Sequence, residues 1–174
     1  MLESYHAKLE TPFAVLGIRT VGERVTDIDY LPLGIAPLAP LNRLAARACR
    51  EIERYLDDAA YVPKLPFEYS GTPFQCSVWR AVSAIPCGHT LTYNDIARAL
   101  RSAPRPVGGA CGRNRMPLVI PCHRVLAAGG LGGFMGGHGE TGLAIKRWLL
   151  RHEGVLVGDA QRLRPRISPA DRAA

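Results

Sequence analysis

The sequence predicts an α+β protein, in which a small N-terminal α/β domain precedes a mostly helical domain. Three observations support this fold class. Strand-like apolar patterns and one long amphipathic helix occupy the first part of the chain, a proline-containing segment follows them, and short helix patterns dominate the remainder. The chain has 174 residues, which suffices for one domain or two small ones.

The N-terminal domain, residues 1–65, is predicted to contain two strands and a helix. The strands lie within residues 12–31, where a continuous apolar run precedes an alternating one, and the turn falls near Gly22. The helix is amphipathic, since apolar side chains recur at helical spacing at Leu41, Leu44, Ala45, Ala48, Ile52, Tyr55 and Leu56. Residues 62–66 are predicted to be a linker, because proline disfavours helix.

The second domain, residues 66–157, is predicted to begin with a helix. Thr72 is a good cap for that helix and Pro73 suits its first turn, while the helix should stop at residues 86–88, Pro-Cys-Gly. The remaining residues, 158–174, are expected to form a basic, flexible tail.

Two further short helix patterns follow in the second domain. Thr92 and Asp95 resemble a capping box that opens a helix running through Leu100. After a break at residues 102–104, residues 105–114 form another short element. Two short helices separated by a tight break are a candidate helix-turn-helix, although any such pair looks alike in a sequence.

Two glycines within the last of these elements are unusual. Gly108 and Gly109 would each cost a helix about 1 kcal/mol relative to alanine, so that propensity alone favours a loop. If they are helical, the missing side chains allow something large to approach the backbone closely. In a basic protein, a nucleic-acid groove is one such partner.

The C-terminal part combines an apolar segment, a loop and a helix. Residues 118–125 are predicted to form a buried strand or extended segment, residues 129–142 a glycine-rich loop, and the following residues a helix with Gly154 at its C-terminus. Residues 137–142 match the G-x-G-x-x-G pattern. They follow no convincing strand of a βαβ unit, so a dinucleotide site is not expected.

Composition restricts the function only broadly. The formal net charge of +7 favours a polyanionic partner, or merely aids solubility. No run approaches the roughly 20 apolar residues of a membrane helix, and the N-terminus has no signal pattern, so the protein is expected to stay inside the cell. The five cysteines are an odd number without C-x-x-C spacing, which predicts free thiols and no zinc site.

Cys122, in the segment IPCHRV, is the candidate nucleophile. A cysteine in an apolar run is usually a small core residue, and that interpretation stays open. Against it, flanking His123 and Arg124 would create an electropositive setting that lowers the pKa of the thiol. In an extended segment His123 would point away from the Cys122 sulfur, so it would act through a water molecule and need a carboxylate, for which Glu153 is a candidate.

From about Gly71 to Gly154 the chain resembles the O6-alkylguanine-DNA alkyltransferases. The landmarks are GTPFQ with VW, the Tyr93 helix, RPVGGA, Asn114, IPCHRV and KRWLLRHEG, in the family's order. The resemblance implies a winged-helix, helix-turn-helix DNA-binding domain that carries the active site. Residues 1–65 match only in general shape the family's variable N-terminal domain, which is ribonuclease-H-like.

The resemblance also implies the chemical roles. Cys122 looks like the acceptor thiol, with His123, a water molecule and Glu153 as the relay that deprotonates it. Asn114 resembles the residue that braces the active-site turn. Tyr93 resembles the tyrosine that turns the target phosphate and protonates the departing guanine.

By the same resemblance, Arg105 looks like the finger that replaces the flipped base, on a helix that lies in the minor groove. Further DNA contacts are implied at Asn94, Ser102, Gly108, Gly109 and Ala110. Val125, Phe134 and Met135 correspond to the walls of the base pocket. Phe134 lacks a hydroxyl often found there and Met135 stands where a serine is frequent, so the pocket is expected to be more apolar.

The implied function is direct repair of double-stranded DNA that contains O6-alkylguanine. The alkyl group passes irreversibly to Cys122, without a cofactor or metal, in a monomeric protein that is cytoplasmic, nucleoid-associated in a bacterium or nuclear in a eukaryote. Two alternatives remain. An alkyltransferase-like protein would bind the lesion and recruit other factors without reacting, although Cys122 argues against it. A helix-turn-helix regulator would bind particular duplex sequences.

Overall fold

The computed structural model describes residues 4–137 and 139–155. The chain divides into two compact units, the first comprising Met1–Tyr69 with Arg115–Val119 and the second Ser70–Asn114 with Ile120–Ala174. The expected division placed one continuous domain at residues 66–157, whereas a five-residue segment within that range belongs to the first unit. The tail expected at residues 158–174 lies outside the described residues.

The first unit is an antiparallel sheet with one helix. Its strands are β1 (Ala7–Glu10), β2 (Val15–Val21) and β3 (Arg24–Leu31), in the order β1-β2-β3. The two expected strands are present and turn at Gly22, whose φ is +55°. β1 was not predicted, although its sequence AKLE alternates apolar and polar residues and it pairs with the adjacent β2, because four residues are too short a run to indicate a strand with certainty.

The helix of this unit, α1 (Arg43–Asp57), confirms the predicted amphipathic pattern. The Asn42 side chain accepts a hydrogen bond from the Ala45 N–H at 2.8 Å and caps the helix. The buried face carries Ala45, Ala48, Ile52 and Tyr55, each at most 1% exposed, and contacts all three strands. Burial of this apolar face stabilises the unit.

The segment Arg115–Val119 is attached to β3. The Arg115 guanidinium pairs with the Asp27 carboxylate at 2.5 Å, and the Ile28 N–H donates to the Arg115 carbonyl at 2.9 Å. Asp27 is 4% exposed, so the arginine supplies the partner that a buried carboxylate requires. These contacts explain why the segment belongs to the first unit.

The second unit contains the short helices expected from the sequence. They are α2 (Pro73–Ser83), α3 (Tyr93–Ala99), α4 (Pro104–Cys111) and α5 (Glu140–His152). Capping boxes at Thr72 with Gln75 and at Thr92 with Asp95 confirm the predicted helix starts. α2 ends at Ser83, three residues before the expected stop at residues 86–88. Just beyond the helix, the carbonyl of buried Ile85 accepts a hydrogen bond from Arg124 instead of a helical N–H.

The element that contains Gly108 and Gly109 is helical, so the loop predicted from helix propensity alone is wrong. Pro104 is in the first turn of α4, Val107 and Ala110 are buried, and the Trp79 indole donates to the Ala110 carbonyl at 2.9 Å. These tertiary contacts outweigh the intrinsic cost of Gly108 and Gly109.

The expected extended conformation of residues 118–125 is also wrong. Cys122–Arg124 forms one turn of 3-10 helix, held by hydrogen bonds from the Cys122 N–H to the Ile120 carbonyl and from the Arg124 N–H to the Pro121 carbonyl. Strand β5 (Val125–Leu126) begins only after this turn and pairs in parallel with β4 (Leu91–Thr92). The pairing places Leu91 beside Val125, directly after the cysteine turn, and α3 begins with Tyr93 two residues later.

Within the part of the chain that the structure describes, no helix is both long and apolar enough to cross a membrane.

Candidate active site

Cys122 lines a pocket of about 880 Å³ in the second unit. The residue is buried, with 7% of its surface exposed. The Asn114 side-chain amide donates to the Ile120 carbonyl at 2.8 Å and to the Cys122 sulfur at 3.4 Å. Asn114 therefore holds the turn and the sulfur together, at the position where sequence similarity placed a bracing residue.

Behind Cys122, three buried side chains form a hydrogen-bonded cluster. The His123 Nε2 lies 2.8 Å from Glu153 Oε1, with side-chain exposures of 1% and 0%. Arg124 donates to Glu153 from Nε and from Nη2, both at 2.9 Å. The cluster brings Glu153, which follows α5, to the histidine that sequence reasoning paired with it.

The cluster fixes the charge state of its members. Burial alone would raise the pKa of Glu153, but hydrogen bonds and charges from His123 and Arg124 outweigh it and lower that pKa to about 2. Burial lowers the pKa of His123 despite the neighbouring carboxylate. At neutral pH the imidazole is therefore neutral, and Nε2 carries its proton because a carboxylate can only accept. Nδ1 is left as the basic nitrogen.

The expected electropositive effect of Arg124 on Cys122 is wrong. The Arg124 guanidinium is directed at Glu153 and the Ile85 carbonyl. The pKa of Cys122 is raised well above its usual value, first by a hydrogen bond with Cys111 and then by burial, while Asn114 and Lys146 act in the opposite direction. The cation that favours a thiolate here is Lys146.

Lys146 is a site residue that sequence reasoning missed. Its side chain is completely buried, and Nζ donates to the carbonyls of Val125 and Leu131 at 2.7 Å and of Gly133 at 3.0 Å. Burial lowers its pKa to about 8, although the nearby thiols oppose that change. A lysine between Ile145 and Leu149, on the apolar face of a helix, is the signal that could have revealed it.

Cys111, the last residue of α4, is the second missed residue. It lines the pocket together with Cys122. Hydrogen bonding from the Cys122 thiol is the main reason why the pKa of Cys111 is lowered, and burial opposes it. The sequence showed Cys111 only as one of five free thiols, since nothing local indicates which thiols meet in space.

The other predicted residues fall into three groups. Those that line the pocket are Tyr93, Arg105, Gly108, Gly109, Phe134 and Met135. Those that are buried and do not line it are Ala110 and Val125, whose carbonyls accept hydrogen bonds from Trp79 and Lys146. Asn94 and Ser102 are exposed and also outside the lining. Their predicted contacts with DNA stay predictions.

A tight turn, residues 134–137, forms another part of the pocket lining. The Phe134 and Gly137 backbones exchange hydrogen bonds of 2.8 and 3.1 Å, and between them Met135 and Gly136 have φ values of +54° and +78°. Two successive positive φ values are typical of a type I′ turn, which favours glycine or asparagine over methionine. Met135 is 48% exposed, so its side chain borders the pocket entrance.

Tyr93 connects the two sides of the pocket. Its hydroxyl donates to the Gly133 carbonyl at 3.2 Å, next to the turn. Burial raises its pKa, so the phenol stays protonated at any physiological pH. Among the described residues, no group of three or more His, Cys, Asp or Glu side chains is arranged to hold a metal ion.

A pocket-lining thiol, next in sequence to a neutral histidine that a buried carboxylate holds, is typical of proteins that use cysteine as a nucleophile. A family model described as 6-O-methylguanine DNA methyltransferase, DNA binding domain, matches residues 73–155. The methylated-DNA–protein-cysteine methyltransferase of Shigella flexneri is 40% identical over 136 residues, 77% of each chain. That of Salmonella typhimurium is 42% identical over 138 residues, 78% of this chain and 77% of the relative.

Solved structures agree with this relationship. The crystal structure of Mycobacterium tuberculosis OGT in complex with DNA has a TM-score of 0.70 and 30% sequence identity, and the match covers 84% of this chain and 91% of that one. The chain therefore belongs to the methylated-DNA–protein-cysteine methyltransferase family.

Proposed function

We propose that this protein repairs DNA by taking the alkyl group from O6-alkylguanine onto Cys122, once per molecule. The observation that carries the proposal is the presence of Cys122 in the lining of a pocket large enough for a base, with Arg105 and the glycine-containing side of α4 at its wall. A base stacked in a duplex cannot reach such a thiol, so it must be flipped out.

In the reaction, the Cys122 sulfur attacks the alkyl carbon and the bond from that carbon to O6 breaks. The electrons of the broken bond pass to guanine, which takes up a proton. The Cys122 proton passes through a water molecule to His123 Nδ1, and Glu153 stabilises the imidazolium that forms. The product is a thioether and a normal guanine. No cofactor is needed, and the thioether has no leaving group with which to regenerate the thiol.

Tyr93 supplies a proton donor on the pocket wall. Its phenol is protonated because burial raises its pKa, and its hydroxyl already donates to a backbone carbonyl at 3.2 Å. We assign it to donate to the departing guanine and to turn the target phosphate.

The glycines of α4 support close docking of DNA. A Cβ atom at Gly108 would meet only Tyr93 Cε1, at 3.9 Å, and one at Gly109 only Arg113 Nη1, at 3.7 Å. The protein itself therefore has room for side chains at both positions. Because Gly108 and Gly109 have no side chains, the surface of α4 beside the pocket is smooth, which suits close contact with the minor groove. Arg105 fills the place of the flipped base.

The same proposal extends to the fold and the assembly. The second unit is taken as a winged-helix domain whose helix-turn-helix is α3 and α4, and the first as a ribonuclease-H-like domain. All residues assigned to the reaction belong to one chain, so a monomer suffices for repair.

The test is a single-turnover reaction with an oligonucleotide duplex that contains O6-methylguanine, read by intact protein mass. The wild type should gain one methyl group, mapped to the Cys122 peptide, and Cys122→Ala should gain none. Cys49→Ala is the matched control, because Cys49 lies in α1, and it should react as the wild type does. Tight binding of the lesion without methyl gain would instead indicate a non-reacting binder.

A further inference from the structure

Two cysteines line the pocket, whereas the proposed repair reaction uses only one. Cys111 ends α4 and Cys122 begins the 3-10 turn, yet both line the same pocket, and each thiol shifts the pKa of the other. The other three cysteines, Cys49, Cys76 and Cys87, do not line it. The second thiol is therefore a feature that alkyl transfer leaves unexplained.

Asn114 forms hydrogen bonds with both cysteines. The Asn114 N–H donates to the Cys111 carbonyl at 3.2 Å, while the Asn114 side chain donates to the Cys122 sulfur and the Ile120 carbonyl. One asparagine thus connects the end of α4 to the acceptor turn. The backbone of Cys111 and the sulfur of Cys122 are therefore both held by Asn114.

We infer that Cys111 and Cys122 form a reversible disulfide when a hydroperoxide enters the pocket, which withdraws the acceptor thiol from repair. This inference rests on the proposed function of Cys122 as acceptor. It assigns to Cys111 the role of the thiol that reacts with the peroxide, and to Cys122 the role of the resolving thiol, which captures the oxidised Cys111 before further oxidation occurs.

The chemistry balances with hydrogen peroxide as the oxidant. The Cys111 thiolate attacks one peroxide oxygen, the O–O bond breaks, and Cys111 becomes a sulfenic acid while hydroxide leaves and takes up a proton. The Cys122 sulfur then attacks the Cys111 sulfur, the S–O bond breaks, and a second water leaves with the Cys122 proton. Two thiols and one peroxide thus give one disulfide and two waters.

The structure indicates which sulfur reacts first. Cys111 is more exposed than Cys122, and the hydrogen bond from the Cys122 thiol lowers the pKa of Cys111. Lys146 also favours a negative charge on either sulfur. Thiolate character and access together determine which cysteine a peroxide attacks.

The consequence is protection of a residue that the cell can use only once. A lone acceptor thiol would be driven to sulfinic acid, which common thiol reductants do not reverse. A disulfide stops the oxidation at a level from which a dithiol reductant restores both thiols.

The test compares the wild type with Cys111→Ser after both have received the same molar excess of hydrogen peroxide. Each sample is blocked with N-ethylmaleimide and analysed by intact mass, peptide mapping and methyl transfer, before and after dithiothreitol. The wild type should lose two hydrogens in a Cys111–Cys122 linked peptide. Its transfer activity should fall at least about tenfold and return fully on reduction.

Cys111→Ser should form no such bridge, and after excess peroxide its lost activity should not return with dithiothreitol. Cys49→Ser is the matched control and should behave as the wild type does, since burial raises the pKa of Cys49 to about 11 and it lies in the first unit. Cys111→Ala provides a second variant should the serine disturb the end of α4.

The absence of the linked peptide in oxidised wild type, or full recovery of oxidised Cys111→Ser, would overturn the inference. Failure of the repair proposal would be seen separately, because untreated wild type would then gain no methyl group although the linked peptide could still form.

Discussion

Glu153 Oε1 lies 2.8 Å from His123 Nε2, and neither side chain is accessible to solvent. The two residues are 30 positions apart in the sequence and meet because α5 ends beside the cysteine turn. The carboxylate also binds Arg124, so a single ionised group holds both a cation and the candidate base. Several measurable properties of the protein depend on this arrangement.

Substitution of Glu153 should slow alkyl transfer and alter acid stability. The folded pKa of about 2 lies below the ordinary value of 4.5, so the unfolded chain binds more protons between these values. The associated stability is fully present above pH 4.5 and is lost as the pH falls towards 2. Glu153→Gln should remove this component and slow transfer roughly 100-fold.

Urea denaturation from pH 2.5 to pH 7 measures the acid effect, and single-turnover kinetics measure the rate. Glu140→Gln is the control, because the Glu140 side chain is 88% exposed and its ion pair with Arg147 spans 3.8 Å. If the free energy of unfolding of Glu153→Gln fell below pH 4.5 as steeply as that of the wild type, the Glu153 carboxylate would not be the titrating group.

Replacement of Lys146 should raise the pH at which the pocket thiols react. Its ammonium group favours thiolate on both Cys111 and Cys122, and it also donates to the carbonyls of Val125, Leu131 and Gly133. Lys146→Met should shift the pH profile of iodoacetamide labelling at these thiols to higher pH and slow methyl transfer at least about tenfold.

The neighbouring substitution Arg147→Met also replaces a cation by methionine, at a position of α5 whose side chain is 39% exposed. It should leave the labelling profile where it is. Equal profiles for Lys146→Met and the wild type would mean that the lysine has no electrostatic effect on the thiols.

Arg105→Ala should slow repair of a duplex far more than reaction with a free base. Arg105 is exposed at the pocket wall, and a flipped base leaves a gap whose cost is a few kcal/mol. We expect a loss of about 100-fold with duplex O6-methylguanine and little change with free O6-benzylguanine. Arg50→Ala, an exposed arginine of α1, controls for the lost charge. Equal slowing of both substrates would contradict the finger role.

Gly109→Ala should separate stability from DNA binding. The added methyl group has ordinary contact with Arg113 only, at 3.7 Å, so the helix should gain about 0.5–1 kcal/mol. Binding of a duplex should weaken if DNA docks on this surface. Thermal denaturation and fluorescence anisotropy measure the two effects.

Gly112→Ala provides the contrast to Gly109→Ala. Its Cβ would lie 3.0 Å from Gly136 Cα, so it should destabilise the protein by disturbing the turn at the pocket wall. A stable Gly109→Ala variant with unchanged duplex affinity would argue against close docking on α4.

Features stabilised by local interactions could be predicted from the sequence. The caps at Thr72 and Thr92 need only a side chain and the backbone three residues later, so their residue types suffice to locate two helix starts. The similarity around IPCHRV likewise identified Cys122, because the six residues of this motif are adjacent in the sequence and can be found without knowledge of the fold. The pairing of His123 with Glu153 was a candidate that spacing alone could not establish.

Features that depend on burial and on contacts distant in sequence required the tertiary structure. Propensity opposed helix at Gly108 and Gly109, and the packing of Val107 and Ala110 with a hydrogen bond from Trp79 decided otherwise. The charge on a thiol depends on which groups surround it in space. Thus the sequence by itself determined that Cys122 is a nucleophile candidate, whereas only the fold paired it with Cys111, directed Arg124 towards Glu153 and placed Lys146 beside the thiols.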